Sequence, residues 1–314
     1  MDPGLEEISA KGRKNPARQG GSVMPHEDAG ASLPDPAAGA GARFRAMHGG
    51  PGAFVIPNPW DIGSARILAS MGFSCLATTS AGLAFSLGLP EGQVSREAVL
   101  AHCRALVRAV DIPVSADLEK GFGDTPEEAA QTIAAAAQTG LAGCSLEDHT
   151  GDPGDPIYPF DLAVARVAAA ARAARALPGD FVFTARCENL LWGRDDLGEA
   201  IARLQAYEAA GADVVYAPGL HDLDAIGRVC AAVRVPVNVV MGMPGAAFTL
   251  DELAQVGAKR ISVGSAFARL AYGSLLQAAG EIRTRGSFTF ARGAASFATL
   301  DDIFKAAEGR MLPK

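Results

Sequence analysis

The stretch "PVSADLEKGFGDTPEEAAQTIAAAAQTGLAGCSLED" (113–148) is the best starting point in the chain. It opens on a short apolar run that ends in two acids, Asp117 and Glu119. A glycine-containing turn leads into an alanine-rich amphipathic segment, "TPEEAAQTIAAAAQTG" (125–140). That segment has acids at its start and Gly140 at its end, as helix termini prefer. A second short apolar run, "GCSLED" (143–148), follows and again ends in acids. Strand, helix and strand in this order form the unit of a parallel sheet with crossover helices.

The same rhythm runs in both directions. Further strand candidates are "AFVIPN" (53–58), "SCLATTS" (74–80), "FVFTARCE" (181–188), "DVVYAPG" (213–219), "PVNVVMG" (236–242) and "RISVGS" (260–265). "DDLGEAIARLQAYEAAG" (195–211) is a second clear helix, and "GLAGC", "GADVV" and "VGAKRISV" repeat one helix–glycine–strand join. Eight strands alternating with helices predict an α/β fold, a (β/α)8 TIM barrel. The alternative is a doubly wound open sheet. It would prefer a glycine-rich phosphate loop after the first strand, and "NPWDIGSAR" (58–66) is not one. The last barrel helix is "GSLLQAAGEIRTRG" (273–286). Residues 1–42, rich in Gly, Ala, Pro, Ser and charge, read as a disordered N-terminal tail, with Met24 or Met47 as alternative starts. The barrel is expected over 43–290, and 291–314 form a C-terminal extension with a short helix, "ATLDDIFKAAEG" (298–309).

The chain has 314 residues, a net charge of −7 and a pI near 5.3, which argues against nucleic acid or an anionic membrane as a main partner. No apolar stretch approaches the roughly 20 residues of a membrane span. The N-terminus has no basic-then-apolar leader pattern. Five cysteines (75, 103, 144, 187 and 230) are odd in number and form no CxxC pair. Each lies in an apolar segment, as expected of reduced, buried cysteines in a cytoplasmic protein.

In such a barrel the chemistry gathers at the C-terminal ends of the strands. There the sequence offers Thr78, Thr79 and Ser80, then Asp117 and Glu119, Glu147 and Asp148, Arg186 and Glu188, and Asn238 and Met241. The opposite ends are mostly small or apolar. Asp117 and Glu119 are two apart, so on an extended strand they share a face and each raises the other's cost of ionising. A solvated strand end would explain them blandly. With Glu147 on the next strand, Mg²⁺ is the sharper explanation, because it takes oxygen ligands and few carboxylates. The histidines are too scattered for zinc. Arg186 either binds a substrate carboxylate in bidentate fashion or forms a buried salt bridge to Glu147 or Glu188. A Schiff base on Lys120 is disfavoured, because Asp117 and Glu119 would keep it protonated and it alternates off their face. Lys259 starts the eighth strand, at the wrong end.

These residues, in this order, resemble the isocitrate lyase/phosphoenolpyruvate mutase superfamily over roughly residues 43–290. The resemblance rests on "NPWDIGSARIL", "ATTSAGLAFSLGLPEG", "ADLEKGFGDTPEE", "GCSLEDHTG", "FTARCENLLWGR" and "RISVGSAFARLAYGSLLQA". It implies a barrel whose last helix swaps between subunits of a homodimer or homotetramer. It also implies Mg²⁺ and the making or breaking of a C–C or P–C bond beside a pyruvyl-type enolate. By resemblance, the metal ligands fall on Asp117, Glu119 and Glu147. The substrate-carboxylate loop falls on Thr79, Ser80 and Ala81, the strand-five arginine on Arg186 and the mobile-loop acid on Glu91. Asn238, as a polar strand-seven residue, joins the substrate-binding set.

Two departures narrow the reaction. The family's C–C lyases carry a K-[KR]-C-G-H loop after strand four whose cysteine is the general acid, but this chain reads "HTGDPGDPIYPFD" (149–161). They also carry a strand-six glutamate where this chain has Pro218. Both argue against an isocitrate-type lyase. The Asn or Thr of the mutase gating loop has no convincing counterpart either. A lyase, an oxaloacetate-type decarboxylase and a phosphonomutase-like enzyme remain open. The competing readings are a non-catalytic binding or scaffold barrel and, less favoured, a Lys120 aldolase.

Overall fold

The structure, a computed structural model, describes residues 39–245 and 247–308. In chain order the elements are α1 (Ala40–Gly49), β1 (Phe54–Ile56), α2 (Ile62–Ser70), β2 (Leu76–Ala77), α3 (Ser80–Ser86) and α4 (Arg96–Ala109). β3 (Val114–Asp117), α5 (Pro126–Ala137), β4 (Gly143–Glu147), α6 (Phe160–Arg175), β5 (Val182–Arg186), α7 (Leu197–Ala210) and β6 (Val214–Tyr216) follow. The chain then runs through α8 (Leu223–Ala232), β7 (Val237–Val240), α9 (Leu250–Gln255), β8 (Arg260–Ser262), α10 (Ala266–Arg285) and α11 (Phe297–Glu308). All paired strands are parallel, in the order β1-β8-β7-β6-β5-β4-β3-β2. The eight-stranded (β/α)8 barrel read from the sequence is borne out, each strand lying inside its expected segment.

The β1–β2 seam has no ladder. The Ala77 N–H donates to the Pro57 carbonyl at 3.1 Å, and the Asn58 amide does the rest. Its Nδ2 donates to the Thr78 carbonyl at 3.0 Å, and its Oδ1 accepts from the N–H groups of Val263 and Gly264, each at 2.9 Å. One buried side chain thus joins the strand ends β8, β1 and β2.

Helix starts follow local chemistry. Thr125 caps α5, with Pro126 in the first turn and Glu128 closing a capping box, and Asp61 and Thr249 cap α2 and α9 in the same way. Strand alternation sorts the rest. Ala116, Cys144, Leu146, Phe183, Ala185, Val215, Val237, Val239 and Ile261 face the helices in the main core. Their alternates, Ser115, Ser145, Tyr216, Asn238, Arg260 and Ser262, line the inside of the barrel. Gly143 is required where it stands, since a Cβ there would lie 2.4 Å from the Val182 carbonyl oxygen.

α1 closes the N-terminal end. Fully buried Phe44 packs with Phe54, Cys75, Val182 and Val214, and Arg45 pairs with Asp180 at 2.7 Å and Asp213 at 2.9 Å. Helix therefore begins at Ala40, inside the stretch expected to be tail (1–42), because an ordered turn is needed to carry Phe44 into the barrel floor. The remainder of that expectation, residues 1–38, lies outside the described residues. α10 also starts earlier than the expected 273, because "AFARLAY" continues its helical run. α11 lies near α2, with Phe304 within reach of Gly63, and Gly309 of the expected short helix lies outside the described residues. Among the described residues no helix is long and apolar enough to cross a membrane.

Candidate active site

At the C-terminal mouth of the barrel, Ser80, Glu91, Asp117, Glu119, Glu147 and Arg186 come together. Arg186, the last residue of β5, is the centre. Its Nε donates to Glu188 Oε1, while Nη1 stands 3.4 Å from Glu147 Oε2 and 4.0 Å from Asp117 Oδ1. The Tyr216 ring lies beneath the guanidinium, 5.1 Å from its carbon. Of the two readings of Arg186, the buried salt bridge is thus present, with Glu147 and Glu188 together.

Asp117 is fixed by β2 and the start of α3. Its N–H donates to Thr78 Oγ1 at 2.9 Å, and its Oδ2 accepts from the Ser80 hydroxyl at 2.9 Å. Glu91, from the loop after α3, reaches the same hydroxyl at 3.2 Å. A hydroxyl has one proton to donate. Both contacts are therefore satisfied when Ser80 donates to Asp117 and a protonated Glu91 donates to Ser80. Burial of the Glu91 carboxyl end and the nearby Asp117 push its pKa up, in the direction this requires.

Two expectations need correction. Asp117 and Glu119 do not share the face of one strand, because β3 ends at Asp117 and Glu119 sits in a left-handed turn with φ of 50°. Its side chain reaches the acids from that turn, a strained conformation for a residue with a Cβ and one typical of functional sites. The Thr79 hydroxyl caps α3, accepting from the Gly82 N–H at 3.2 Å, which leaves its own proton to donate. Ser80 and buried Ala81 do lie in the first turn of α3. Asn238 is not at a strand end. It is the second residue of β7, with its Nδ2 donating to Ser262 Oγ at 3.0 Å and its Oδ1 accepting from Arg260 Nε at 2.8 Å.

Five carboxyl groups (Glu91, Asp117, Glu119, Glu147 and Glu188) surround one guanidinium. Burial, then Asp117 and Glu91, push Glu119 up to about 7. Burial first, then Glu188 and the other acids, push Glu147 well above the usual carboxylate range against the pull of Arg186. Among the described residues no three His, Cys, Asp or Glu side chains stand close enough to enclose one ion by themselves. The donor set still fits a hard cation. Asp117, Glu119 and Glu147 offer only oxygen, and Mg²⁺ takes one or two carboxylates and completes its shell with water and substrate.

The rim above is stitched from three loops. After β4 the chain folds into a tight hairpin in which His149 bridges Ile157 and the Thr150 N–H donates to the Pro156 carbonyl at 2.8 Å. Lys120, from the β3 loop, donates to the Thr150 carbonyl at 2.7 Å and to Asp124 at 2.6 Å. Those bonds turn its amine from the acids, a poor placement for a Schiff base. Trp192, from the β5 loop, stacks on His149 with ring centres 4.3 Å apart, and Arg194 pairs with Asp155 at 3.6 Å. Asp148, buried between strand and helix, accepts from the Glu188 N–H at 2.7 Å, Arg203 at 3.2 Å and the Tyr207 hydroxyl at 2.5 Å. Cys144 and Cys187 are fully buried and their thiols are pushed up by burial, so neither stands in for a general acid.

Two participants were not singled out from sequence, Tyr216 under Arg186 and the bracing Asn58, while His149, the one histidine beside an acidic strand end, stands 3.8 Å from Glu147. Alternation from Asn238 and Arg186 could have found Tyr216, the inward residue ending β6.

Residues 44–283 match the family model described as phosphoenolpyruvate phosphomutase. A solved structure provisionally described as a lyase/mutase of Burkholderia cenocepacia J2315 is 55% identical. It superposes with a TM-score of 0.82 over 84% of this chain and 95% of that one. The 2-methylisocitrate lyase of Escherichia coli strain K12 is 30% identical over 68% of this chain and 74% of its own length. The structure of a 2,3-dimethylmalate lyase is 26% identical, with a TM-score of 0.76 over 87% of this chain and 96% of that one. These relatives are lyases and mutases by description, the two solved structures share the barrel, and the chain belongs to the phosphoenolpyruvate mutase/isocitrate lyase superfamily.

Proposed function

We propose that this protein is a Mg²⁺-dependent enzyme that makes or breaks a C–C or P–C bond next to the pyruvyl-type enolate of a small 2-oxo or 2-hydroxy acid. The observation that carries the reading is the ring of five carboxyl groups around Arg186 at the barrel mouth. One guanidinium leaves that ring strongly acidic, and a divalent cation relieves the repulsion that raises Glu119 and Glu147. Asp117, Glu119 and Glu147 are its ligands in this reading. Bound there, the ion supplies Lewis-acid charge that stabilises negative charge developing on a 2-oxo oxygen.

The remaining roles belong to the chain's own groups. Arg186, fixed by Glu188 and Tyr216, presents its positive charge to the same oxygen or to the substrate carboxylate. The first turn of α3, at Ser80 and Ala81, faces the substrate carboxylate. Glu91, whose carboxyl is pushed up by burial and by Asp117, stands against Ser80 as the group that exchanges a proton with the substrate. The stitched rim of His149, Trp192 and Lys120 keeps water from the reacting carbon. Reaction types left open are lyase, decarboxylase and phosphonomutase (an isomerase). Lacking the loop cysteine, the chain is not read as an isocitrate-type lyase, whatever its relatives catalyse. The assembly is read as a homodimer or homotetramer exchanging the last barrel helix, supported by Leu270, Leu275 and Leu276 of α10 at 69%, 61% and 74% exposure. Buried free cysteines support a cytoplasmic setting.

The test is the melting temperature without metal, with Mg²⁺, and with Mg²⁺ plus oxalate, a planar mimic of pyruvate enolate. A ligand at 100 times its Kd stabilises by about 2.7 kcal/mol. A shift that needs both components and disappears in Asp117→Ala supports the reading and directs a panel of 2-oxo, 2-hydroxy and phosphono acids. No shift in any condition moves the non-catalytic scaffold to the front.

A further inference from the structure

Below the acids, the barrel interior has the opposite electrostatic character. Arg260, the first residue of β8, points inward and is 5% exposed. Its Nε donates to Asn238 Oδ1 at 2.8 Å, its Nη2 to Thr184 Oγ1 at 2.9 Å, and its Nη1 meets His48 Nε2 of α1 at 3.3 Å. The His48 Nδ1 lies 2.8 Å from the Phe44 carbonyl, so Nδ1 carries the proton and Nε2 is the acceptor. Burial, then Arg260 itself, lower His48 to about 3, which keeps it neutral. All three partners of this buried guanidinium are therefore uncharged. Among the described residues no carboxylate pairs with it, and burial pulls it down to about 10. A buried charge normally has a counter-charge.

The donor count agrees. A guanidinium has five N–H groups, and three acceptors are in place. Thr184 Oγ1 already accepts from Arg260, so its own proton points elsewhere. Ser115 and Ser145 add two hydroxyls to the lining. Both Asn238 amide atoms are engaged, so that side chain offers no spare acceptor. Ser115, Ser145, Asn238 and Arg260 line a cavity of about 60 Å³ whose walls also include Asp117 and Arg186. About 10–15 Å³ suffices for one water. The floor is thus rich in donors, positively charged and roomy enough for a small ion with its water.

We propose that the barrel floor is a binding site for one small monovalent inorganic anion of halide size, held by Arg260 with the hydroxyls of Thr184, Ser115 and Ser145. The single buried cation matches one negative charge. The site lies at the floor of the same cavity whose mouth carries Asp117 and Arg186, and it rests on Arg260 rather than on the catalytic reading.

The experiment uses bromide on the full chain. Crystals grown in sodium bromide are measured at the bromine absorption edge. One anomalous peak is expected within hydrogen-bond range of the Arg260 Nη atoms and Thr184 Oγ1, and none in Arg260→Met crystals grown identically. In parallel, replacing gluconate by bromide at fixed ionic strength should raise the melting temperature of the wild type with a saturable curve and leave the variant unmoved. No peak at Arg260 in the wild type, or an equal peak in the variant, overturns the proposal. A peak only at Arg186 also overturns it, because the anion then belongs to the site above. Should Arg260→Met fail to fold, the wild-type map alone decides.

Discussion

Glu119 makes the acid ring measurable without a substrate. Its folded-state pKa is raised from 4.5 to about 7 by burial, then by Asp117 and Glu91. A raised carboxyl binds more protons folded than unfolded, so its contribution is fully present below pH 4.5 and is lost as pH rises through about 7. At about 1.4 kcal/mol per unit of pKa, that loss is about 3.5 kcal/mol. Between pH 5 and 8 most of it falls inside the measured range. The perturbation is Glu119→Gln, which removes the titration and keeps the shape. The assay is urea unfolding of both proteins at pH 5, 6, 7 and 8, in EDTA and again in saturating Mg²⁺. In EDTA, the wild type should lose about 2–3 kcal/mol relative to the variant as pH rises. In Mg²⁺, the wild type should recover that loss at pH 8, because the ionised acids then face a cation, while the variant gains less. Parallel pH curves for the two proteins in EDTA would refute the claim that these acids crowd one another. A difference in EDTA that Mg²⁺ leaves untouched would keep the crowding and remove the metal.

Three further outcomes are expected. Asp148→Asn removes the buried partner of Arg203, whose side chain is 3% exposed and keeps only the more exposed Glu199 at 3.3 Å, and should cost about 3–5 kcal/mol by urea denaturation; a loss under about 1 kcal/mol would show that the pair is dispensable. Phe44→Ala empties the barrel floor and should cost about 3–5 kcal/mol, read as a lowered denaturation midpoint, which would be small if α1 were merely appended. Lys120→Met removes a partly exposed ion pair and should cost no more than about 1 kcal/mol. Borohydride with a 2-oxo acid should leave the mass of the wild type unchanged, and a trapped adduct lost in Lys120→Met would restore the Schiff-base reading.

The barrel was legible because each strand is a short apolar run with a chemically marked end, and those marks sit on the correct side of the sheet. What the sequence hid was where each strand stops. An apolar run overstates strand length, so Asn238 read as an end residue, although alternation puts Val240 above it on the inside. The Asp117–Glu119 pair reached the right place by a different route, a left-handed turn that spacing alone does not reveal. The role of the Thr79 hydroxyl depends on a helix starting at Ser80, and "AGLAFS" carries no start signal of its own. The N-terminal strand ends read as small or apolar, which made Arg260 inconspicuous. Its setting becomes visible only once α1, part of it assigned to the tail, is found across the barrel floor with His48 beside it.

The missing cysteine loop also has a structural meaning. In place of a K-[KR]-C-G-H segment the chain has a hairpin held at four points: the His149–Ile157 bridge, the Thr150 carbonyl on Lys120, Asp155 on Arg194, and His149 under Trp192. A loop that delivers a general acid must move between open and closed forms, and each of these contacts opposes such motion. Arg194 and Lys120 are engaged by hairpin and turn acids in this arrangement. The substitution is therefore a rebuilt wall, with aromatic and imidazole faces where the lyases carry an acid. Such a wall stands beside the carboxylate ring without entering it, and under the proposed reading it favours a compact partner fragment.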